Sequence, residues 1–220
     1  MQPRTILFVG PPSSGKGTQS ALLAAELKLP RIDVGALLRD RARDHDPLAT
    51  KIATTMASGH ALSDEMIRPI TEPVFVTTAA QHHSLIIDGY CRSVDQVEHL
   101  EELVAAKKLP PVTVIHITVN ETEATRRMSH RRYCSGCNAQ QYLITNTDEA
   151  TSCLRCGGHL TKRSDDSIEV FKQRIRTFHK LTVPAIHALT ARFSVLTVDG
   201  EHSIETVHHN IVKALTHAPN

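Results

Sequence analysis

Short apolar runs rich in β-formers recur along the chain and alternate with longer segments of helical period. Four runs, 5–10 (TILFVG), 84–89 (SLIIDG), 113–119 (TVIHITV) and 194–200 (SVLTVDG), are close to continuously apolar, as expected of strands covered by helices on both faces. Helical period fills 15–28, 37–45, 48–58, 64–80, 94–107, 121–131, 166–192 and 203–216. Ser93 or Asp95 is placed to cap the fifth of these, and Ser203, three residues before Thr206, to start the last. Pro184 lies inside the 166–192 pattern and predicts a bend or split there. The alternation predicts an α/β fold, a doubly wound parallel sheet of about five strands flanked by helices. Residues 133–160 break the rhythm with small and polar residues and little helical period, and read as an insert with its own small architecture.

The first strand run passes straight into GPPSSGKGT (10–18) and then into a helical pattern. A chain leaving a buried strand here turns tightly and starts a helix at once. Its successive backbone N–H groups form an anion-binding nest at the positive end of the helix dipole. Lys16 adds a full charge within reach of β- and γ-phosphates, and the glycines let the backbone approach a ligand closely. A flexible Gly/Ser turn is the plain alternative, but strand, loop and helix stand in the order that a phosphate cradle requires. The ending departs from the usual G-x-x-x-x-G-K-[ST], because Gly17 separates Lys16 from Thr18.

With 220 residues, 40% hydrophobic and 22% charged, the chain reads as an ordinary globular protein with one sizeable core. A formal net charge of +2 argues against a surface built to wrap nucleic acid. No run approaches the ~18 apolar residues of a membrane span, and the N-terminal apolar stretch is too short for a signal peptide. A cytoplasmic protein is expected. Four of the five cysteines form two Cys-x-x-Cys pairs, Cys134/Cys137 and Cys153/Cys156, fifteen residues apart. That is the spacing of a four-thiolate zinc ribbon, with two disulfides or four unrelated thiols as alternatives. The four thiolates leave the zinc site with net negative charge, which Arg131, Arg155 and Lys162 nearby would offset. The fourteen histidines show no ligand spacing, and His82/His83 and His208/His209 are adjacent pairs; all read as surface residues.

GPPSSGKGTQ followed in order by VGALLR (34–39), DGYCRS (88–93), HRR (130–132), RSDD (163–166) and VDG (198–200) resembles the adenylate kinase family of nucleoside monophosphate kinases, in its long form with a zinc-binding lid. The resemblance implies a P-loop core (1–32, 63–129 and 167–220), a helical NMP-binding insert (33–62) and a zinc lid (130–166). It implies reversible, Mg²⁺-dependent, direct in-line phosphoryl transfer from ATP to AMP, giving two ADP, by a monomer. The catalytic group would be Lys16, Arg92, Arg131, Arg163, Arg174 and Asp88, with Asp88 holding Mg²⁺ through its water shell; the plain alternative for Asp88 is a turn residue before Gly89. ATP would be held by Ser13, Ser14, Gly15, Lys16, Gly17, Thr18, Arg127 (stacked on the donor base), Arg131 and His202. AMP would be held by Val34, Arg39, His60, Ala61, Leu62, Gly89, Tyr90, Cys91, Arg92, Gln96 (reading the base), Arg163 and Arg174. Zn²⁺ would be held by Cys134, Cys137, Cys153 and Cys156. Arg126, Arg132 and Arg176 match no role, and Asp165 and Asp166 read first as caps of the long helix that follows.

Four positions depart from the family pattern. Val34 lacks the hydroxyl usual near the acceptor base, and Ala36 replaces a usual Asp. Cys91 replaces the Pro of D-G-[FY]-P-R; a cis bond before a non-Pro residue costs ~3–4 kcal/mol, so a turn rebuilt with a trans bond is expected. Ser13 takes a glycine's place, which a φ below zero would tolerate. An apolar residue at position 34 also resembles UMP/CMP kinases, while Gln96 points to adenine. Other readings are a nucleotide switch whose zinc ribbon contacts nucleic acid and a pseudo-enzyme. The first lacks the aromatic or basic density it would need in 133–160, and the second is opposed by the retained Lys16, Asp88 and arginines.

Overall fold

The computed structural model describes residues 2–136, 140–142, 152–153, 156–162 and 167–217. Strand β1 (Thr5–Val9) leads through the phosphate loop to α1 (Lys16–Leu27). Then come β2 (Arg31–Asp33), α2 (Val34–Arg41), α3 (Pro47–Ala57), α4 (Asp64–His82) and β3 (Leu85–Asp88). After α5 (Val94–Ala105), β4 (Val112–Thr118) and α6 (Glu121–His130), a small antiparallel sheet holds β5 (Arg131–Cys134), β6 (Gln140–Tyr142) and β7 (Leu160–Thr161). The chain continues through α7 (Ile168–Thr177), a π-helical turn (Phe178–Thr182), α8 (Val183–Arg192), β8 (Ser194–Asp199) and α9 (Ile204–His217).

The main sheet runs β2-β3-β1-β4-β8, every pair parallel. Alternation along its strands builds a core on each face. Leu7, Val9, Leu85, Ile87 and Val114 pack with Phe75, Val97, Leu100 and Leu189 on one side. Ile6, Phe8, Ile86, Ile115 and Ile117 pack with Leu23, Val207, Ile211 and Leu215 on the other. The expected strand over 194–200 is present but is not buried on both faces: β8 is an edge strand in which only Val198 is buried. The fifth strand, β2, has a single apolar side chain, Ile32, between Arg31 and Asp33, too little for an apolar run.

Local chemistry explains most element ends. Ser93 caps α5, accepting from Gln96 N at 3.3 Å, and Ser203 accepts from Thr206 N at 3.2 Å. Asp33 caps α2 through Ala36 N at 2.8 Å, so this helix starts and ends earlier than its period predicts. The cap of α7 is Ser167, which accepts from Val170 N at 3.2 Å, in place of the aspartates expected there; Asp165 and Asp166 lie outside the described residues. Pro184 splits the long helix as predicted. It cannot donate to the Lys180 carbonyl, and the chain relieves the clash with a widened turn in which Val183 N–H reaches Phe178 O.

Not all histidines are on the surface. His99 is 2% exposed; its Nδ1 lies 2.7 Å from Tyr90 Oη and its Nε2 3.1 Å from Glu72 Oε2, partners that offset the cost of burial. His116 on β4 is half-buried, and burial followed by repulsion from Lys16 lowers its pKa. Among the described residues no helix is long and apolar enough to cross a membrane.

Candidate active site

The loop between β1 and α1 has the form of an anion nest. Gly10 turns at φ +143°, where a methyl group would run into the Ile117 carbonyl. Gly15 is left-handed at φ +99° and leads directly into α1 with no side-chain cap. The first backbone bond of that helix is Gln19 N–H to Gly15 O at 3.0 Å, and the N–H groups of Lys16, Gly17 and Thr18 meet no acceptor among the described residues. Lys16 folds back across the loop, its Nζ 2.8 Å from Gly10 O and 2.7 Å from Pro11 O. Burial lowers the Lys16 pKa to about 8; Asp88 opposes the shift, and Arg92 and Arg131 add to it. Ser13 contradicts the sequence expectation, for it sits at φ +61° rather than below zero. Its buried Oγ has no hydrogen-bond partner among the described residues. The tight turn dictates the backbone there, and serine strains to follow it.

Above the carboxyl ends of β1, β2 and β3 lies a cavity of about 570 Å³. In an open parallel sheet this is where ligands bind. Ser13, Gly15, Lys16, Gly17, Val34, Arg39, His60, Ala61, Leu62, Asp88, Gly89, Tyr90, Arg92, Gln96, Arg131 and Arg174 all line it. Ser14, Thr18, Cys91, Arg127 and His202 do not form its wall. Arg127 nevertheless borders the loop: it reaches Gly200 O at 2.6 Å and Ser14 O at 3.4 Å, anchored by Glu123 at 2.7 Å. Hydrogen bonds from Arg126 and Arg127 hold the Glu123 carboxyl down at about 2. His202 is exposed and pairs with Asp199 at 3.3 Å. Arg163 lies outside the described residues.

The turn after β3 is rebuilt around Cys91. Its peptide is trans, and Cys91 is left-handed at φ +56°. The thiol is fully buried, and desolvation pushes its pKa well up, so it is an inert packing group. The following Arg92 N–H donates to Gln96 Oε1 at 2.9 Å, and Thr182 Oγ1 donates to Arg92 O at 3.1 Å. Arg92 therefore keeps its place on the wall without the family proline. Lost hydration and then repulsion from Arg174 lower the Arg92 pKa, and Asp88 and Asp33 oppose the shift.

Two residues that sequence reasoning missed are Arg31 and Asp33. Arg31 Nη2 lies 2.6 Å from Asp88 Oδ2 and 3.0 Å from Asp33 Oδ2. Burial raises the Asp33 pKa, but Arg31, the Ala36 N–H and Arg39 outweigh it and hold the carboxyl below its usual range. The signal was their spacing, since residues two apart on a strand share a face.

In the small sheet, the sulfur atoms of Cys134, Cys153 and Cys156 all lie within 4.8 Å of one another. Cys134 Sγ is 3.4 Å from Cys156 Sγ, and Gly136 N–H points at Cys134 Sγ from 3.3 Å. Three thiols converging from both Cys-x-x-Cys turns, with a backbone N–H on one sulfur, fit a tetrahedral zinc site. Cys137 lies outside the described residues.

A phosphate nest that opens the first helix of a parallel sheet, facing arginines from separate elements across one cavity, defines a P-loop phosphotransferase, a nucleoside monophosphate kinase. Comparison with known proteins narrows the class. A family profile described as Adenylate kinase matches residues 8–193. The chain is 31% identical to an adenylate kinase of Thermoanaerobacter sp. (strain X514) over 211 residues, covering 96% of this chain and 97% of the relative. It is 32% identical to an adenylate kinase of Methanocella arvoryzae over 213 residues, 96% and 97% of the two chains, and 31% identical to one of Archaeoglobus fulgidus over 207 residues, 94% and 95%. The chain belongs to the adenylate kinase family.

Proposed function

We propose that the protein transfers the γ-phosphoryl group of ATP directly to AMP, reversibly and with Mg²⁺, giving two ADP. The observation that carries this reading is that Lys16 and four arginines from different elements, Arg39, Arg92, Arg131 and Arg174, line one cavity. Phosphoryl transfer asks little covalent chemistry of a protein; it asks for alignment, charge neutralisation and a dry site. The loop N–H groups and Lys16 would hold the donor phosphates, Lys16 giving up the Gly10 and Pro11 carbonyls for them. Arg127, beside the loop, would meet the donor base. Arg39 and Arg92 would grip the acceptor phosphate with their planar forks, and Arg131, Arg174 and Arg163 would close on the transferring group. Asp88, on the cavity wall at the end of β3, fits a carboxylate that holds the nucleotide's Mg²⁺ through water; the ion would spread the phosphates' negative charge.

The insert 33–62 would carry the acceptor, with Val34, His60, Ala61, Leu62 and Gln96 around its base. Segment 130–166 would act as a lid, stapled by zinc because its core is too small to hold itself together. With Arg131 at its start and Arg163 at its end, closure would deliver both charges while excluding water. A coupled assay of ADP formation, with AMP, UMP, CMP and GMP as separate acceptors, tests the reading. Activity with AMP alone supports it. Preference for UMP or CMP would reassign the acceptor, and turnover with none of them would refute the kinase reading.

A further inference from the structure

The carboxylate that would meet the Mg²⁺–nucleotide complex is already clamped by the fold. Asp88 is 6% exposed. Its Oδ2 accepts from Arg31 Nη2 at 2.6 Å and from Ser20 Oγ at 3.0 Å, while its Oδ1 meets no donor among the described residues. Arg31 is itself fixed at two further points, Nε to Ser20 Oγ at 2.7 Å and Nη2 to Asp33 Oδ2 at 3.0 Å. Asp33 and Asp88 line the cavity, and Arg31 does not. The guanidinium thus holds one oxygen of Asp88 from outside the cavity and leaves the other to it.

That arrangement has two physical consequences. A carboxylate gripped at Oδ2 by two donors cannot rotate, so Oδ1 keeps one direction. A permanent positive charge in contact with the carboxylate also opposes any second cation that approaches it alone. A cation arriving with several phosphate charges brings its own compensation and is opposed far less. We propose that Arg31 is a positioning residue that aims Asp88 Oδ1 at the water shell of nucleotide-borne Mg²⁺ and keeps Asp88 from recruiting the ion before the nucleotide arrives. This rests on the reading of Asp88 as the carboxylate that holds Mg²⁺ during transfer.

Mg²⁺ itself is the probe, titrated calorimetrically into the full chain without nucleotide and then with saturating ATP. No acceptor is present, so no turnover is required. Arg31→Gln should bind Mg²⁺ in the absence of nucleotide about tenfold more tightly than the unsubstituted protein, the scale set by one unit charge a few ångströms from a dication. With ATP present the gain should fall to about threefold or less. The double substitution Arg31→Gln/Asp88→Asn should abolish the gain, and Ser20→Ala, which removes no charge, should stay within about twofold. A thermal melt establishes that each variant is folded. A folded Arg31→Gln with unchanged nucleotide-free Mg²⁺ affinity, or a gain that survives loss of the Asp88 carboxylate, overturns the proposal. If Arg31→Gln fails to fold, Arg31→Met decides: it removes the same charge from an unbranched side chain, so Mg²⁺ should again bind about tenfold more tightly, and an unchanged affinity overturns the proposal. Absence of ADP formation with every acceptor would refute the kinase reading, whereas these titrations report on Arg31 alone.

Discussion

Ser13→Gly should make the ligand-free protein more stable, an unusual outcome for a change in a phosphate loop. Ser13 has φ +61°, and its Oγ is buried without a hydrogen-bond partner among the described residues. A left-handed L-residue costs about 1–2 kcal/mol, and an unsatisfied buried hydroxyl about 1 kcal/mol at the low end of its range. Glycine returns roughly 0.4–1 kcal/mol of this through the greater freedom of its unfolded chain. The balance is about 2 kcal/mol in favour of glycine, or a rise in Tm of roughly 4–8 °C for a chain of this size. Ser13→Ala removes the hydroxyl and keeps the strain, so about half of that gain is expected. Both variants should bind ATP within a few-fold of the unsubstituted protein, because the loop already has the shape glycine prefers. Calorimetric melts without nucleotide provide the measurement. A Ser13→Gly protein melting at or below the unsubstituted one would refute the claim that position 13 is strained.

Three further outcomes are expected. The Lys16 pKa of about 8 lies below its ordinary value, so the charged amine opposes folding below that pH, and the cost fades as pH rises from about 8 toward the ordinary range. Bound phosphates reverse the sign, so ATP binding near pH 8.5 should take up protons and weaken as pH climbs; binding enthalpies that do not vary with the ionisation heat of the buffer would exclude this. Gly59 has φ +74°, and a methyl there would lie 2.8 Å from Val170 O. Gly59→Ala should therefore lower stability by about 1–3 kcal/mol and raise KM for the acceptor, since His60, Ala61 and Leu62 follow it onto the cavity wall; an unaltered Tm and KM would mean the contact is not made. Cys156→Ser should release about one equivalent of zinc and lower Tm while ATP binding survives, and metal analysis with a nucleotide titration would expose an intact zinc content.

Much of the fold was readable because its signals are local. Four apolar runs became strands, Ser93 and Ser203 became caps, and Pro184 broke the helix where its missing N–H required. The phosphate loop was legible for the same reason, being nine consecutive residues. What escaped depends on distant partners. Arg31 and Asp33 look like solvated charges until Asp88, more than fifty residues away, is placed against the same guanidinium. His99 hid on a face whose period was visible: Gln96, Leu100 and Leu103 are its buried neighbours on α5. Only Tyr90 and Glu72, from other elements, make a histidine acceptable there. The edge position of β8 is likewise a property of the assembled sheet, which stops beside it.

The widened turn at Phe178–Thr182 sets how one long rod is divided between two tasks. Before it, Arg174 looks into the cavity; after it, Ala185, Ile186 and Leu189 are wedged into the core. Each residue advances an α-helix by about 100°, so shortening this turn by a single position would rotate one half against the other by nearly a third of a circle. The rod would then be more regular and wrongly aimed: either the guanidinium would swing off the cavity or three apolar side chains would be wrenched from their seats. Length at this joint is therefore far less negotiable than the identity of its solvent-facing residues, His179 and Lys180.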